Sequence, residues 1–116
     1  MESSSPQRGE IWIASLGAGR SGEPGKNRPV IVISVDELTT GSERDLFIVV
    51  PVSSSAALSP LTPMVTTDEG VDKPSIALTR AVRSVTRGRF LRRVGVVDRD
   101  TLREIEFSLG AILGLN

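Results

Sequence analysis

Eleven glycines and seven prolines divide these 116 residues into short pieces, and most of the pieces are apolar and rich in β-branched side chains. A chain punctuated this way builds sheet before it builds anything else. The stretch "GEIWIASL", residues 9–16, sets Ile11, Ile13 and Leu16 against Trp12 and Ser15 and reads as a first strand. A loop follows over residues 17–27. "PVIVISV", residues 29–35, predicts a strand buried on both faces, with Pro29 tolerated as its first residue. After a polar turn at 40–44, "DLFIVVPVS" predicts a third strand ending at the surface, in which Pro51, lacking an N–H for the ladder, marks an edge position or a bulge. "PLTPMVTT" and "PSIALTRAVRSV" predict two more strands, and "RFLRRVGVV" closes the sheet.

The period then changes. In "DRDTLREIEFSLGAILGL" the apolar residues Leu102, Ile105, Leu109 and Ile112 or Leu113 recur at intervals of three and four. Asp98 or Asp100 is placed to cap the start and Gly114 to end the segment, so it predicts one amphipathic helix. The fold class that follows is mainly β, a small twisted, barrel-like sheet with a C-terminal helix packed on it. Residues 8–116 form a single domain after a disordered lead-in, residues 1–7. That lead-in has neither the basic start nor the apolar stretch of a secretory signal, and no apolar run reaches the roughly 20 residues of a membrane helix. The expected location is the cytoplasm, with no membrane role.

Cysteine and histidine are both absent. Disulfides, thiol nucleophiles, the usual zinc sites and imidazole acid–base chemistry are thereby excluded, and no cofactor or metal is expected. The net charge is zero, from 14 basic and 14 acidic residues, yet the charges are segregated. Residues 80–93 carry Arg80, Arg83, Arg87, Arg89, Arg92 and Arg93 with no acid between them, while Asp68, Glu69 and Asp72 cluster elsewhere. Such a basic stripe is either the solvated side of strands or a source of phosphate contacts. Aromatic residues make up 3% of the chain, with no tyrosine, which argues against extensive base stacking. Trp12 fits the core, a dimer interface or an RNA contact.

Several motifs fall in a telling order: "RGEIWIASL", "GEPGKNRPVIVIS", "VVPVSSS", an arginine–hydroxyl–hydrophobic strand written "VRSV", and the terminal apolar helix. From Arg8 to Leu115 this arrangement resembles the MazF/PemK family of toxin endoribonucleases, whose fold is an SH3-like barrel of the CcdB-like type. The resemblance implies a homodimer that cleaves single-stranded RNA without a metal, and a MazE-like antitoxin whose disordered acidic segment occupies the RNA groove. In that family the arginine of the "RP" pair lies beside the scissile phosphate, and here it is Arg28. A planar guanidinium holds two phosphoryl oxygens at once. The hydroxyl at the end of the third strand is Ser53, the second catalytic candidate, which either donates to a phosphate oxygen or orients the attacking 2′-OH. Ser54 follows it. Glu23 matches the acid of the first loop and, with Lys26, Ser54, Arg80 and Arg83, completes the expected RNA-binding set. Gly22 stands where some members have histidine, and Arg80 and Ala81 stand where some have an acid–glutamine pair, so a carboxylate base at that place is missing. Two other readings follow from the same barrel: a non-catalytic toxin that binds a protein target such as gyrase, and a degenerate member that binds RNA or antitoxin without cutting.

Overall fold

The structure, a computed structural model, describes residues 5–18 and 26–116. Its elements are β1 (Glu10–Ser15), β2 (Asn27–Val32), β3 (Leu46–Ser53), β4 (Met64–Val65), β5 (Ser75–Ala77), β6 (Arg83–Thr86), β7 (Phe90–Val96) and the helix α1 (Arg99–Leu113). The strands join in the order β4-β5-β3-β2-β1-β7, with β6 also paired to β3. All the pairings are antiparallel. This is the expected mainly-β sheet with one C-terminal helix.

Strand β3 organises the sheet. One of its edges pairs with β2, while the other is shared, with β6 opposite Leu46, Phe47, Ile48 and Val49 and β5 opposite Val52 and Ser53. Pro51, read from the sequence as an edge position or a bulge, is not at an edge: it is fully buried in a strand that pairs with three others. Its carbonyl accepts from the Leu78 N–H at 2.8 Å, and the N–H and C=O of one strand residue point the same way. The N–H that proline lacks would thus aim at the gap where β6 hands the ladder over to β5. No ladder bond is lost there.

Period-two alternation fills both faces. Ile11, Ile31, Val50 and Val52 meet Val65, Val71, Val97 and the helix residue Ile105 on one side. Trp12, Ala14, Val30, Val32, Phe47, Val49, Val85 and Phe90 pack together on the other. Strand β2 is buried on both faces, as its composition predicts, and each such Val or Ile contributes about 1.5–3 kcal/mol relative to exposure. Helix α1 starts at Asp98, whose carboxylate accepts from the Thr101 N–H at 2.8 Å. That bond, together with the Thr101 side chain, holds the Asp98 carboxyl below the usual carboxylate range. The helix ends at Gly114, which takes the left-handed conformation at φ 73°.

Other boundaries moved. The single strand expected over 74–85 is two, β5 and β6, separated by a 3₁₀ turn at Thr79–Ala81. The Thr79 side chain is buried there and its hydroxyl donates to the Leu61 carbonyl. The strand expected over 60–67 shrinks to β4, because Thr66 and Glu69 form a reciprocal cap that turns the chain at Thr67–Glu69. Residues 5–7 belong to the fold rather than to the lead-in expected over 1–7: Pro6 is fully buried, and the Gln7 N–H donates to Glu10 Oε1 at 2.9 Å.

Candidate functional site

The β2–β3 ladder places Val30 opposite Pro51, Ile31 opposite Val50 and Val32 opposite Val49. Beyond Val30 and Pro51, Arg28 lies opposite Ala14 of β1 and Ser53 lies opposite Ile76 of β5, each on the face its strand shares with Val30 or Pro51. Arg28 and Ser53 are both half-buried. They line a cleft of about 290 Å³ together with Pro29, Val52, Ser54 and Ser55. Its other wall comes from the chain leading into β5, with Val71, Asp72, Lys73 and Ser75.

The chemistry of Ser53 is set by its neighbours. Its Oγ accepts from the Ser55 N–H at 3.2 Å and from the Ala56 N–H at 3.1 Å, with Ser55 Oγ at 3.5 Å. A hydroxyl has two acceptor sites and one proton. With both acceptor sites occupied by backbone, the group Ser53 has to offer is its proton, and an anionic oxygen is the natural acceptor. Both roles read from the sequence, donation to a phosphate oxygen and orientation of an attacking 2′-OH, can use that proton.

Lys26 closes the neck of the first loop. Its N–H donates to the Gly17 carbonyl, and its own carbonyl accepts from the Leu16 N–H at 2.9 Å. It does so at φ 62°, the one non-glycine residue at positive φ among those described, a conformation that costs an L-residue roughly 1–2 kcal/mol. Glu23, expected in the same loop, lies outside the described residues. Arg83 sits on β6 opposite Val49, so it shares the face of Arg28 and Ser53 but does not line the cleft. Arg80 is exposed on the turn between β5 and β6, also off the cleft.

Part of the arginine stripe is structural. Arg87 stacks over the Trp12 ring at 5.5 Å, Arg89 Nη1 donates to the Ser15 carbonyl at 3.2 Å, and Arg93 Nε pairs with Glu10 Oε2 at 3.1 Å. Trp12 itself is core. It is 7% exposed, meets Phe90 edge-on with ring centroids 5.8 Å apart, and donates its indole N–H to Glu10 Oε1 at 2.9 Å. Asp72 and Lys73 were missed from sequence. They lie far from Arg28 along the chain, and the β3–β5 ladder that brings them alongside gives no local signal.

The comparisons with known proteins decide the family. Residues 7–113 match the model of the PemK-like, MazF-like toxins of type II toxin–antitoxin systems. The chain belongs to the MazF/PemK toxin family. The endoribonuclease MazF9 of Mycobacterium tuberculosis is 32% identical over 114 residues, 94% of this chain and 97% of that protein. The crystal structure of MazF from Deinococcus radiodurans superimposes with a TM-score of 0.83 at 25% identity, covering 97% of this chain and 99% of the other. A MazE–MazF complex from the same organism gives a TM-score of 0.74 at 24% identity over 98% of this chain and all of that one, 100%. The MazF/PemK fold expected from the motifs is the fold observed. Among the described residues, no helix is long and apolar enough to cross a membrane.

Proposed function

We propose that this MazF/PemK toxin is an endoribonuclease that cuts single-stranded RNA by attack of the RNA's own 2′-OH, leaving a 2′,3′-cyclic phosphate and a 5′-OH. The observation that carries the reading is that Arg28 of β2 and Ser53 at the end of β3 line one cleft. As the 2′-oxygen approaches phosphorus, charge builds on the non-bridging oxygens. Arg28 presents a planar fork of N–H donors to two of them, and Ser53 supplies its one proton to the same group. Both donors are fixed by a paired sheet, so little reorganisation is needed at the moment of reaction. The nucleophile already sits beside the phosphate, which removes the need to generate a hydroxide: the 2′-O–P bond forms as the P–O5′ bond breaks, the 2′-OH gives its proton to water, and the leaving 5′-oxygen takes a proton from water.

Lys26, Ser54, Arg83, Arg80 and Glu23 are assigned to RNA contacts around this centre, the cations along the phosphate backbone. A MazE-like antitoxin with a disordered acidic segment is the proposed protein partner, supported by the MazE–MazF complexes solved for Deinococcus radiodurans. The toxin acts in the cytoplasm as a homodimer, whose interface buries on the order of 1,200 Å² or more. Exposed Phe107, Leu113 and Leu115 offer apolar surface for such a contact. Sedimentation at micromolar concentration is expected to show a dimer; a monomer throughout would contradict that assembly.

The test of activity is incubation of purified protein with a long single-stranded RNA in excess EDTA, followed by mapping of the breaks. Discrete breaks at recurring positions are expected. Intact RNA, or breaks that appear only when a divalent cation is restored, would refute the reading.

A further inference from the structure

We infer that the wall of the cleft opposite Arg28 and Ser53 reads the RNA, with Asp72 selecting the base next to the scissile phosphate and Lys73 holding the neighbouring backbone. The assignment rests on the ribonuclease reading above and adds to it the residue that sets sequence preference. Asp72 and Lys73 line the same cleft as Arg28 and Ser53. Both are exposed, and neither side chain makes a hydrogen bond or ion pair among the described residues.

The segment that carries them is firmly held. Just before it, Glu69 is buried, accepting from the Thr66 N–H through Oε1 and from the Asp98 N–H through Oε2, each at 2.8 Å. Gly70, at φ 123°, passes so close to β7 that a Cβ there would meet the Val94 carbonyl oxygen at 2.5 Å. Val71 is buried in the core below α1. Beyond the pair, Ser75 Oγ donates back to the Lys73 carbonyl at 2.7 Å and closes the turn. Two unengaged side chains of opposite charge thus stand on a braced turn facing the candidate phosphate site. Bracing of this kind is what accurate readout requires.

The acid is the informative member. A carboxylate beside a phosphate site repels the backbone it helps to bind, so it has to gain from another part of the nucleotide. An ionised carboxylate only accepts hydrogen bonds. Cytosine N4, adenine N6 and guanine N1 and N2 are donors that match it. Uracil offers a single N3–H between two carbonyl acceptors, and those carbonyls repel a carboxylate. Asp72 therefore favours an amino-bearing base over uracil at the position it reads. Lys73 has only donors and a point charge, which suits a phosphate without regard to sequence.

The experiment compares wild type, Asp72→Asn and Lys73→Ala on one mixed-sequence single-stranded RNA, reading the relative rate at every cut site by sequencing the new ends. Asp72→Asn is expected to shift the relative rates of amino-bearing and uracil sites at one position beside the cut by about tenfold, since a good base contact is worth that much discrimination or more. Lys73→Ala is expected to slow all sites alike and to flatten the salt dependence of RNA binding by about one phosphate contact. A uniform loss at every site in Asp72→Asn, or site preferences identical to wild type, overturns the base-reading role while leaving the nuclease reading intact. Wild-type protein that cuts none of the RNA overturns the nuclease reading, and this assignment with it.

Discussion

Arg28→Ala is expected to abolish RNA cleavage and to leave the fold in place. The side chain lies at the rim of the cleft, half-buried, and its strand is anchored by Val30, Ile31 and Val32, none of them more than 1% exposed. In the proposed mechanism its loss takes away two charge-assisted donors from a phosphoryl group that gains charge in the transition state. Removing one such donor typically costs about 10²–10³ in kcat, so the arginine variant should retain less than about a hundredth of the wild-type rate. Lysine restores charge but not the planar fork, and Arg28→Lys is expected to recover little. The check is single-turnover cleavage beside a thermal melt. Near-wild-type cleavage by a folded Arg28→Ala protein would show that another group stabilises the phosphoryl charge.

The largest stability effect is expected at Gly95. Strand β7 crosses the turn after β4 with almost no room between the two backbones. A Cβ on Gly95 would lie 1.9 Å from the Glu69 carbonyl oxygen and 2.8 Å from Gly70 Cα. No side chain can swing aside, because what stands in the way is main chain. Gly95→Ala must therefore separate the two segments, disturbing the Glu69 bond to the Asp98 N–H, which ties that turn to the start of α1, and the seat of Val71. Overpacking of a core usually costs about 1–3 kcal/mol, and a backbone clash belongs at or above the upper end. For a domain of this size the melting temperature should fall by about 10 °C or more. Gly114→Ala is a useful contrast, since nothing lies within 4 Å of its Cβ position and its cost is confined to the left-handed φ. A Gly95→Ala melt equal to wild type would mean that the crossing is looser than described.

What could be read from the sequence follows from how local each signal is. Strands β1, β2 and β3 and helix α1 are each encoded by their own periodicity and caps, and they stand within a few residues of where the pattern put them. The break at Thr79 is different: alternation through Ile76 and Leu78 reads the same whether the chain continues or turns, and only a tertiary bond, from Thr79 to the Leu61 carbonyl, decides it. Pro51 shows the reverse. Its missing N–H was read correctly, but that β3 changes partners at that point is a property of the whole sheet. For the site, Arg28 and Ser53 came from motif order, and the fold brings both to the lining of one cleft. Asp72 and Lys73 were invisible because they reach the cleft through a three-residue strand and a glycine crossing with no sequence pattern of their own. The arginine run was misleading for a related reason. Charge runs report exposure and not engagement, and Arg87, Arg89 and Arg93 proved to be tied to Trp12, Ser15 and Glu10.

The central claim is that this cleft positions the RNA's own 2′-OH for attack while Arg28 and Ser53 neutralise the phosphoryl group. The most direct measurement uses a short RNA containing one mapped cut site, alongside the same oligonucleotide with a single 2′-deoxy sugar immediately 5′ of the scissile phosphate. In excess EDTA the all-RNA strand should be cut to a 2′,3′-cyclic phosphate and a 5′-OH, and the substituted strand should bind but stay intact. Cleavage of the 2′-deoxy strand at a comparable rate, or products bearing a 5′-phosphate, would contradict the account.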